Sequence, residues 1–323
     1  MEYRNIRGTG LQVSRFCLGT MTFGDQTDEA TSIRMVDHCL DAGVNFIDTA
    51  DAYSKGVSEQ ITGKALKGKR DQVVLASKVF NFVGKDQRRD AGLHRWHIMR
   101  GVEASLRRLQ TDCLDILYLH QPDRNTPIEE TLEACDLLVR QGKVLYIGLS
   151  NFSSWRMCEA LWKADTHRLL SKPVVMQVPY NPITRSLDEE CVAFSQQMDF
   201  GMVIYNPLAG GLLTGKHRSS TPVEGTRFDR SEMYYNRYWN DRNFEAIRQL
   251  EELAARLGVS MVELSTRWCY SHDFVDSVIF GASKMHQLKQ NILIPATPLD
   301  EETRKTCDKI WEELRGKHFK YNR

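Results

Sequence analysis

The sequence lacks several features that would settle its chemistry early. Its eight cysteines (17, 39, 113, 135, 158, 191, 269 and 307) include no C-x-x-C pair. Scattered single thiols argue against a zinc site or a disulfide framework and predict reduced cysteines in a cytosolic, cytoplasmic protein. Neither sign of charge dominates: 43 basic side chains face 42 acidic ones, for a formal net charge of +1. That balance supplies no footprint for nucleic acid or for an anionic membrane, so neither is an expected partner. No apolar run approaches the ~20 residues of a bilayer-spanning helix. The first residues, Met1-Glu2-Tyr3-Arg4-Asn5, are polar and carry no apolar signal core. Arg7-Gly8-Thr9-Gly10 offers G-x-G with no third glycine and no helix behind it, so a Rossmann fingerprint is missing.

What is present is alternation. With 323 residues, 41% hydrophobic and 26% charged, the chain suits one large globular core, and a single domain over 1–323 is expected. A polar-apolar hairpin is expected over 1–14. Short apolar stretches then end near positions 19, 48, 78, 120, 150, 177, 205 and 281. Amphipathic spacing predicts helices over 30–40, 59–66, 98–109, 128–141, 154–164, 187–198 and 285–292. Further helices are expected over 243–257, 262–270 and 300–317, with a long polar loop at 80–95, an irregular segment at 209–240 and a loose tail at 318–323. Eight β/α units of this size predict a (β/α)8 TIM barrel. A doubly wound sheet is the alternative, and the missing fingerprint counts against it.

Chemistry in such barrels gathers at the carboxyl ends of the strands. There the sequence places Asp48, Lys78, His120, Ser150, Asn151, Gln177, Tyr205 and Ser283, with Tyr53 just past the stretch ending at 48. Taken singly, Asp48 and Lys78 could be a structural ion pair, and His120 a satisfied core histidine. Together they suggest more. A phenol is a weak acid near neutrality, and a neighbouring ammonium favours its phenolate. A carboxylate keeps that ammonium charged and aimed, and an imidazole can orient a carbonyl oxygen. The set protonates an oxygen and contains no nucleophile with its base. The carbon must receive something else, for which hydride from a nicotinamide is the obvious donor. His94 and His97 share H-x-x-H spacing without a carboxylate and read as a solvated loop or helix face. The aromatic run Phe228, Tyr234, Tyr235, Tyr238 and Trp239 reads as lid packing or a substrate wall.

The motifs Phe46-Ile47-Asp48-Thr49-Ala50-Asp51-Ala52-Tyr53, Ala76-Ser77-Lys78, Leu117-Tyr118-Leu119-His120, Gly148-Leu149-Ser150-Asn151-Phe152, Gln177 and Tyr205-Asn206-Pro207-Leu208 together resemble the aldo-keto reductase family over nearly the whole chain. The segments 18–24 and 208–216 resemble the branch related to potassium-channel β subunits and aryl-alcohol dehydrogenases. The resemblance implies Tyr53 as general acid, Lys78 and Asp48 as its tuners, and His120 as the group orienting substrate. It implies NADP (NADPH) as cofactor and a small carbonyl compound as substrate. Ser150, Asn151 and Gln177 would hold the nicotinamide carboxamide and Tyr205 would stack on the ring, with Thr20, Met21 and Asp48 in the same cofactor set. Asn206, Pro207, Leu208, Ala209, Gly210, Lys216 and Arg227 would follow the pyrophosphate. Gly281, Ser283, Lys284, Gln287, Gln290 and Asn291 would take the adenosine end. Gln287 stands where an arginine is common, which weakens the preference for NADP over NAD. The wall residues Asp229, Arg230, Tyr234, Tyr235, Arg237 and Trp239 suggest a sugar-derived carbonyl. A non-catalytic cofactor sensor, as some relatives of the branch are, is the alternative, and a phosphosugar isomerase or aldolase is a third reading. Homo-oligomer formation is compatible with all three.

Overall fold

The computed structural model describes residues 1–217 and 221–316. The tail expected at 318–323 therefore lies outside the described residues. The chain divides into two compact units: 1–178 with 189–205 and 274–292, and 179–188 with 206–273 and 293–323.

The first unit is the barrel. A two-stranded antiparallel ribbon, β1 (Tyr3–Asn5) and β2 (Gln12–Ser14), precedes eight parallel strands: β3 (Phe16–Gly19), β4 (Phe46–Asp48), β5 (Val74–Val79), β6 (Leu114–Leu119), β7 (Val144–Ser150), β8 (Pro173–Pro179), β9 (Gly201–Tyr205) and β10 (Ser277–Gly281). They close in chain order, with β10 beside β3. This is the (β/α)8 barrel that the alternation predicts, and the doubly wound sheet is excluded.

Why the strands close is legible in their burial. Both faces of β3, β4 and β5 are buried, as parallel strands covered by helices require. Their inward residues form one core of Cys17, Phe46, Val74, Ala76, Ile116, Tyr118, Val175, Val203 and Ile279, to which Ile6 and Val13 of the ribbon are added. Side chains of a strand repeat every second residue. Each interior column therefore continues upward into a residue at the carboxyl end. Phe46 leads to Asp48, Ala76 to Lys78, Tyr118 to His120, Val175 to Gln177, Val203 to Tyr205 and Ile279 to Gly281. The site is the top layer of the core, built from polar groups.

Helices α1 (Glu29–Asp41), α2 (Val57–Ala65), α3 (Arg95–Leu109), α4 (Ile128–Arg140), α5 (Ser154–Thr166), α6 (Cys191–Gln197) and α11 (Met285–Ile292) belong to this unit. The helix expected over 187–198 is split. A 3-10 turn at Ser186–Glu189 precedes α6, because Glu190 (φ −145°) leaves the helical region. The solvated face expected at His94 and His97 is also corrected. His94 accepts the His97 amide proton and caps α3, while His97 is 3% exposed and engages the Gly92 carbonyl at 2.8 Å. Burial therefore takes the second imidazole out of water.

The second unit holds α7 (Arg227–Arg230), α8 (Glu232–Tyr238), α9 (Asp241–Leu257), α10 (Met261–Tyr270) and α12 (Glu301–Arg315). Part of the segment expected to be irregular over 209–240 is thus helical. Phe228, Tyr234 and Tyr238 are buried packing, while the exposed Tyr235 stacks on Trp239 with centroids 5.9 Å apart. None of the described helices is long and apolar enough to cross a membrane.

Candidate active site

Four of the predicted groups meet at the mouth of the barrel. Asp48 ends β4 and Lys78 lies near the end of β5, both almost fully buried. The Lys78 ammonium donates to Asp48 Oδ1, to the Thr49 carbonyl (2.8 Å) and to the Tyr53 hydroxyl (3.3 Å). Gln177 Nε2 donates to the second Asp48 oxygen at 2.8 Å. The carboxylate is therefore fixed by an ammonium on one side and an amide on the other. Burial pulls the Lys78 ammonium down, but Asp48 and Tyr53 outweigh it and hold it above the ordinary lysine range. Burial pushes the Asp48 carboxyl up, against Lys78 and Gln177. A buried pair with all its partners made stays aimed, and the arrangement delivers a fixed positive charge to the Tyr53 oxygen.

Tyr53 opens a 3-10 turn just past β4, and its ring meets His120 edge-on with centroids 6.0 Å apart. Burial, then the Lys78 charge, drives His120 down to about 3. Its imidazole is neutral at physiological pH and carries one ring proton. Asn81, which the sequence reading folded into a loop without singling it out, lies 3.0 Å from His120 Nδ1 through its amide nitrogen. With that amide donating, Nδ1 accepts and Nε2 bears the proton. The only signal for Asn81 was its place just past the strand carrying Lys78.

The remaining predicted residues of this unit sort into two groups. Asn151, in the left-handed region (φ 63°), donates to the His120 carbonyl at 3.0 Å and to Ser150 Oγ at 3.0 Å. Tyr205 donates its hydroxyl proton to Asn151 Oδ1 at 2.7 Å. Thr20 donates from its amide to the Asp48 carbonyl at 3.0 Å, and Met21 is 44% exposed. At the end of β10, Gln287 turns back to accept the Ser283 and Lys284 amide protons at 3.1 and 3.2 Å. Lys284 and Gln290 are exposed, Gly281 is exposed and Asn291 is buried.

The loop 206–216 belongs to the second unit. Asn206, Ala209, Gly210, Gly211 and Gly215 all have positive φ. A Cβ on Gly210 would fall 2.8 Å from the Tyr234 ring, so no other residue fits this bend. Asn206 Oδ1 accepts the Gly210 amide proton at 2.6 Å, and its Nδ2 donates to Tyr238 at 2.7 Å. Pro207 is buried and Leu208 half-buried. Partial burial, then the Arg227 charge, pulls the Lys216 ammonium below the usual lysine range. Arg227 lies over the Tyr234 ring at 4.9 Å. Neither cation pairs with a carboxylate among the described residues. Two like charges held within each other's field fit an anion, and the donor set fits a diphosphate.

A parallel eight-stranded barrel with a titratable cluster on its carboxyl face has the layout of a β/α-barrel enzyme. The sequence matches the aldo/keto reductase family over residues 15–312, and the chain belongs to that family of nicotinamide-dependent oxidoreductases. It is similar to a probable voltage-gated potassium channel subunit beta of Oryza sativa subsp. japonica, 36% identical over 299 residues covering 90% of each chain. It is similar to the aldo-keto reductase YhdN of Bacillus subtilis (strain 168), 37% identical over 319 residues, 97% of this chain and 94% of the other. It also resembles aflatoxin B1 aldehyde reductase member 2 of Rattus norvegicus, 36% identical over 313 residues, 91% of this chain and 83% of the other.

Proposed function

We propose that the chain reduces an aldehyde or ketone to an alcohol with NADPH, using Tyr53 as general acid. The observation that carries this reading is the Tyr53 hydroxyl 3.3 Å from a Lys78 ammonium that is itself tied to Asp48. When bound, the nicotinamide supplies hydride to the carbonyl carbon. Tyr53 donates its proton to the carbonyl oxygen, and Lys78 stabilises the negative charge left on the phenol. Asp48 and Gln177 keep Lys78 in place. His120, neutral and protonated at Nε2, donates a hydrogen bond that orients the same carbonyl oxygen. On the cofactor side, Ser150, Asn151 and Tyr205 receive the nicotinamide, and Asn206–Gly210, Lys216 and Arg227 receive the diphosphate. Ser283, Lys284, Gln287, Gln290 and Asn291 receive the adenosine end. The exposed Tyr235 ring, stacked on a half-buried Trp239, supports a substrate with a flat apolar face, such as a sugar-derived carbonyl.

Tyr53→Phe tests the assignment. The expected result is a loss of about 10²–10⁴-fold in kcat, the usual contribution of a general acid. NADPH affinity, read by quenching of protein fluorescence, stays within about threefold. A drop of less than about tenfold in kcat removes Tyr53 from the role. NADPH binding with no turnover of any aldehyde or ketosugar in a panel would instead make the protein a cofactor-binding subunit.

A further inference from the structure

The turn that carries Tyr53 is conformationally costly. Ser54 (φ 48°), Lys55 (φ 54°) and Gly56 (φ 92°) stand in succession in the left-handed region. L side chains are crowded there, so a run of this kind persists only where its surroundings hold it. One restraint is the Ser54 hydroxyl, which donates to the Phe23 carbonyl at 2.8 Å. A second is Arg108 of α3. A Cβ on Gly56 would lie 2.8 Å from Arg108 Cδ, so the arginine stem is packed directly on the turn.

Behind Arg108 lies a buried charge cluster. Arg108 Nε donates to Glu59 Oε2 at 2.7 Å, and its Nη2 to Ser105 at 3.2 Å. Ser77 donates to Glu59 Oε1 at 2.5 Å. Glu59 is fully buried, and its two oxygens are taken. Asp51 is also buried, 1% exposed, yet no side chain donates to its carboxylate oxygens, and only the neighbouring Ala52 amide weakly favours its charged form. Its amide donates to the Lys78 carbonyl at 3.3 Å, so its backbone is tied to the strand beneath Tyr53. Two acids thus share one guanidinium, and that guanidinium is committed to Glu59. An ionised Asp51 would be an unpaired buried charge, which proteins avoid by keeping the proton.

We propose that Asp51, Glu59 and Arg108 form a positioning cluster beneath the catalytic turn, seated while Asp51 is the neutral acid and loosened when Asp51 ionises. The charged groups facing Asp51 are Glu59 from α2, Arg108 from α3 and Lys78 from β5. Burial, then Glu59, pushes its carboxyl up to about 8, against the weaker pull of Arg108, the Ala52 amide and Lys78. Ionisation there draws Arg108 away from Glu59 and off Gly56, and the turn loses its backing. Tyr53 then meets the carbonyl in fewer productive orientations, so kcat falls with little change in KM. The catalytic half of this inference rests on the reductase reading. The ionisation of Asp51 does not.

Asp51→Asn, an isostere of the neutral acid, separates the two. Kinetics at saturating NADPH compare the ratio of kcat at about pH 9 to that at about pH 7. The expected ratio is roughly threefold or more higher in the variant, because its turn has no acid to ionise. Unfolding by urea is followed across the same range and down to about pH 4. In the wild type the unfolded chain releases the Asp51 proton near 3.8, while the folded chain keeps it to about 8. The unfolded state therefore binds fewer protons in that window, and stability falls as pH rises through it. Asp51→Asn is expected to flatten this slope. If Asp51→Asn does not fold, Asp51→Ala is read in the same way. An unchanged kcat ratio together with an unchanged unfolding slope overturns the proposal. A flattened slope in a chain that reduces no carbonyl keeps the neutral acid and discards the reductase reading. A flattened slope with an unchanged ratio in an active enzyme overturns the positioning role.

Discussion

The barrel mouth and the 206–216 loop solve opposite electrostatic problems. At the mouth every charge is matched: Lys78 meets Asp48, and Asp48 meets Gln177. Lys216 at the end of the loop and Arg227 of α7 have no acid among the described residues, while the loop's amides at 209, 210, 211 and 213 are bonded within the loop itself. The first region is finished before any ligand arrives. On the proposed reading, the second is completed by an anion. The contrast teaches where binding energy and catalytic strength come from. Preorganised charge at the mouth needs no rearrangement at the moment of reaction. On that reading, the like charges of Lys216 and Arg227 are relieved by the cofactor's diphosphate, which would place affinity there.

Breaking the mouth should give the largest effect. Lys78→Met leaves Asp48 buried without its counter-ion, at a cost of about 3–5 kcal/mol in unfolding free energy, and abolishes turnover. Urea denaturation and steady-state reduction of an aldehyde check both. Asp48→Asn combined with Lys78→Met should recover most of that stability and none of the activity. Recovery of activity would end the assignment of Lys78 to the phenol.

Lys216→Ala together with Arg227→Ala should weaken NADPH binding by roughly 10²-fold, as expected for two lost charge-assisted hydrogen bonds. The fold should be kept, because neither side chain closes an ion pair among the described residues and Arg227 gives up only its contact with Tyr234. Titration at two salt concentrations sharpens the test, since the variant should lose most of the salt dependence of binding. An unchanged dissociation constant would show both residues to be ordinary surface cations.

The smallest change is Gln287→Glu. It keeps the acceptor that caps the Ser283 and Lys284 amides but adds a negative charge beside them. The ratio of kcat/KM for NADPH over NADH should fall about tenfold, since only the former carries a 2′-phosphate to be repelled. Equal losses with both cofactors would place the 2′ group elsewhere.

Much of this was visible in the chain before folding. The strand ends could be found because a two-residue period carries an apolar column into a polar tip, as in Phe46 to Asp48 and Ala76 to Lys78. Tyr53 stood out because a phenol so soon after such a tip needs a partner. The misses have physical causes. The split at Glu190 turns on one backbone angle that apolar spacing does not encode. The helices at 227–238 are short and aromatic, and their propensity is weak until tertiary packing buries Phe228, Tyr234 and Tyr238. His97 looked solvated because a histidine between Trp96 and Ile98 gives no sign of which face it takes. The Gln177–Asp48 contact joins residues 129 positions apart, and only barrel closure brings them together. Asp51 sits inside the motif ending at Tyr53 with no sign of its own role, and its burial beside Glu59 depends on how α2 and α3 pack.

Asn151 ties separate strand tips with a single side chain. Its amide nitrogen holds the backbone of residue 120, while its carbonyl oxygen holds the phenol of residue 205. A nudge to one tip is therefore mechanically shared with the other, much as a crossbar transmits load between two posts. Alterations at 120 and 205 should fail to add, and removing the crossbar by Asn151→Ala should make them independent again.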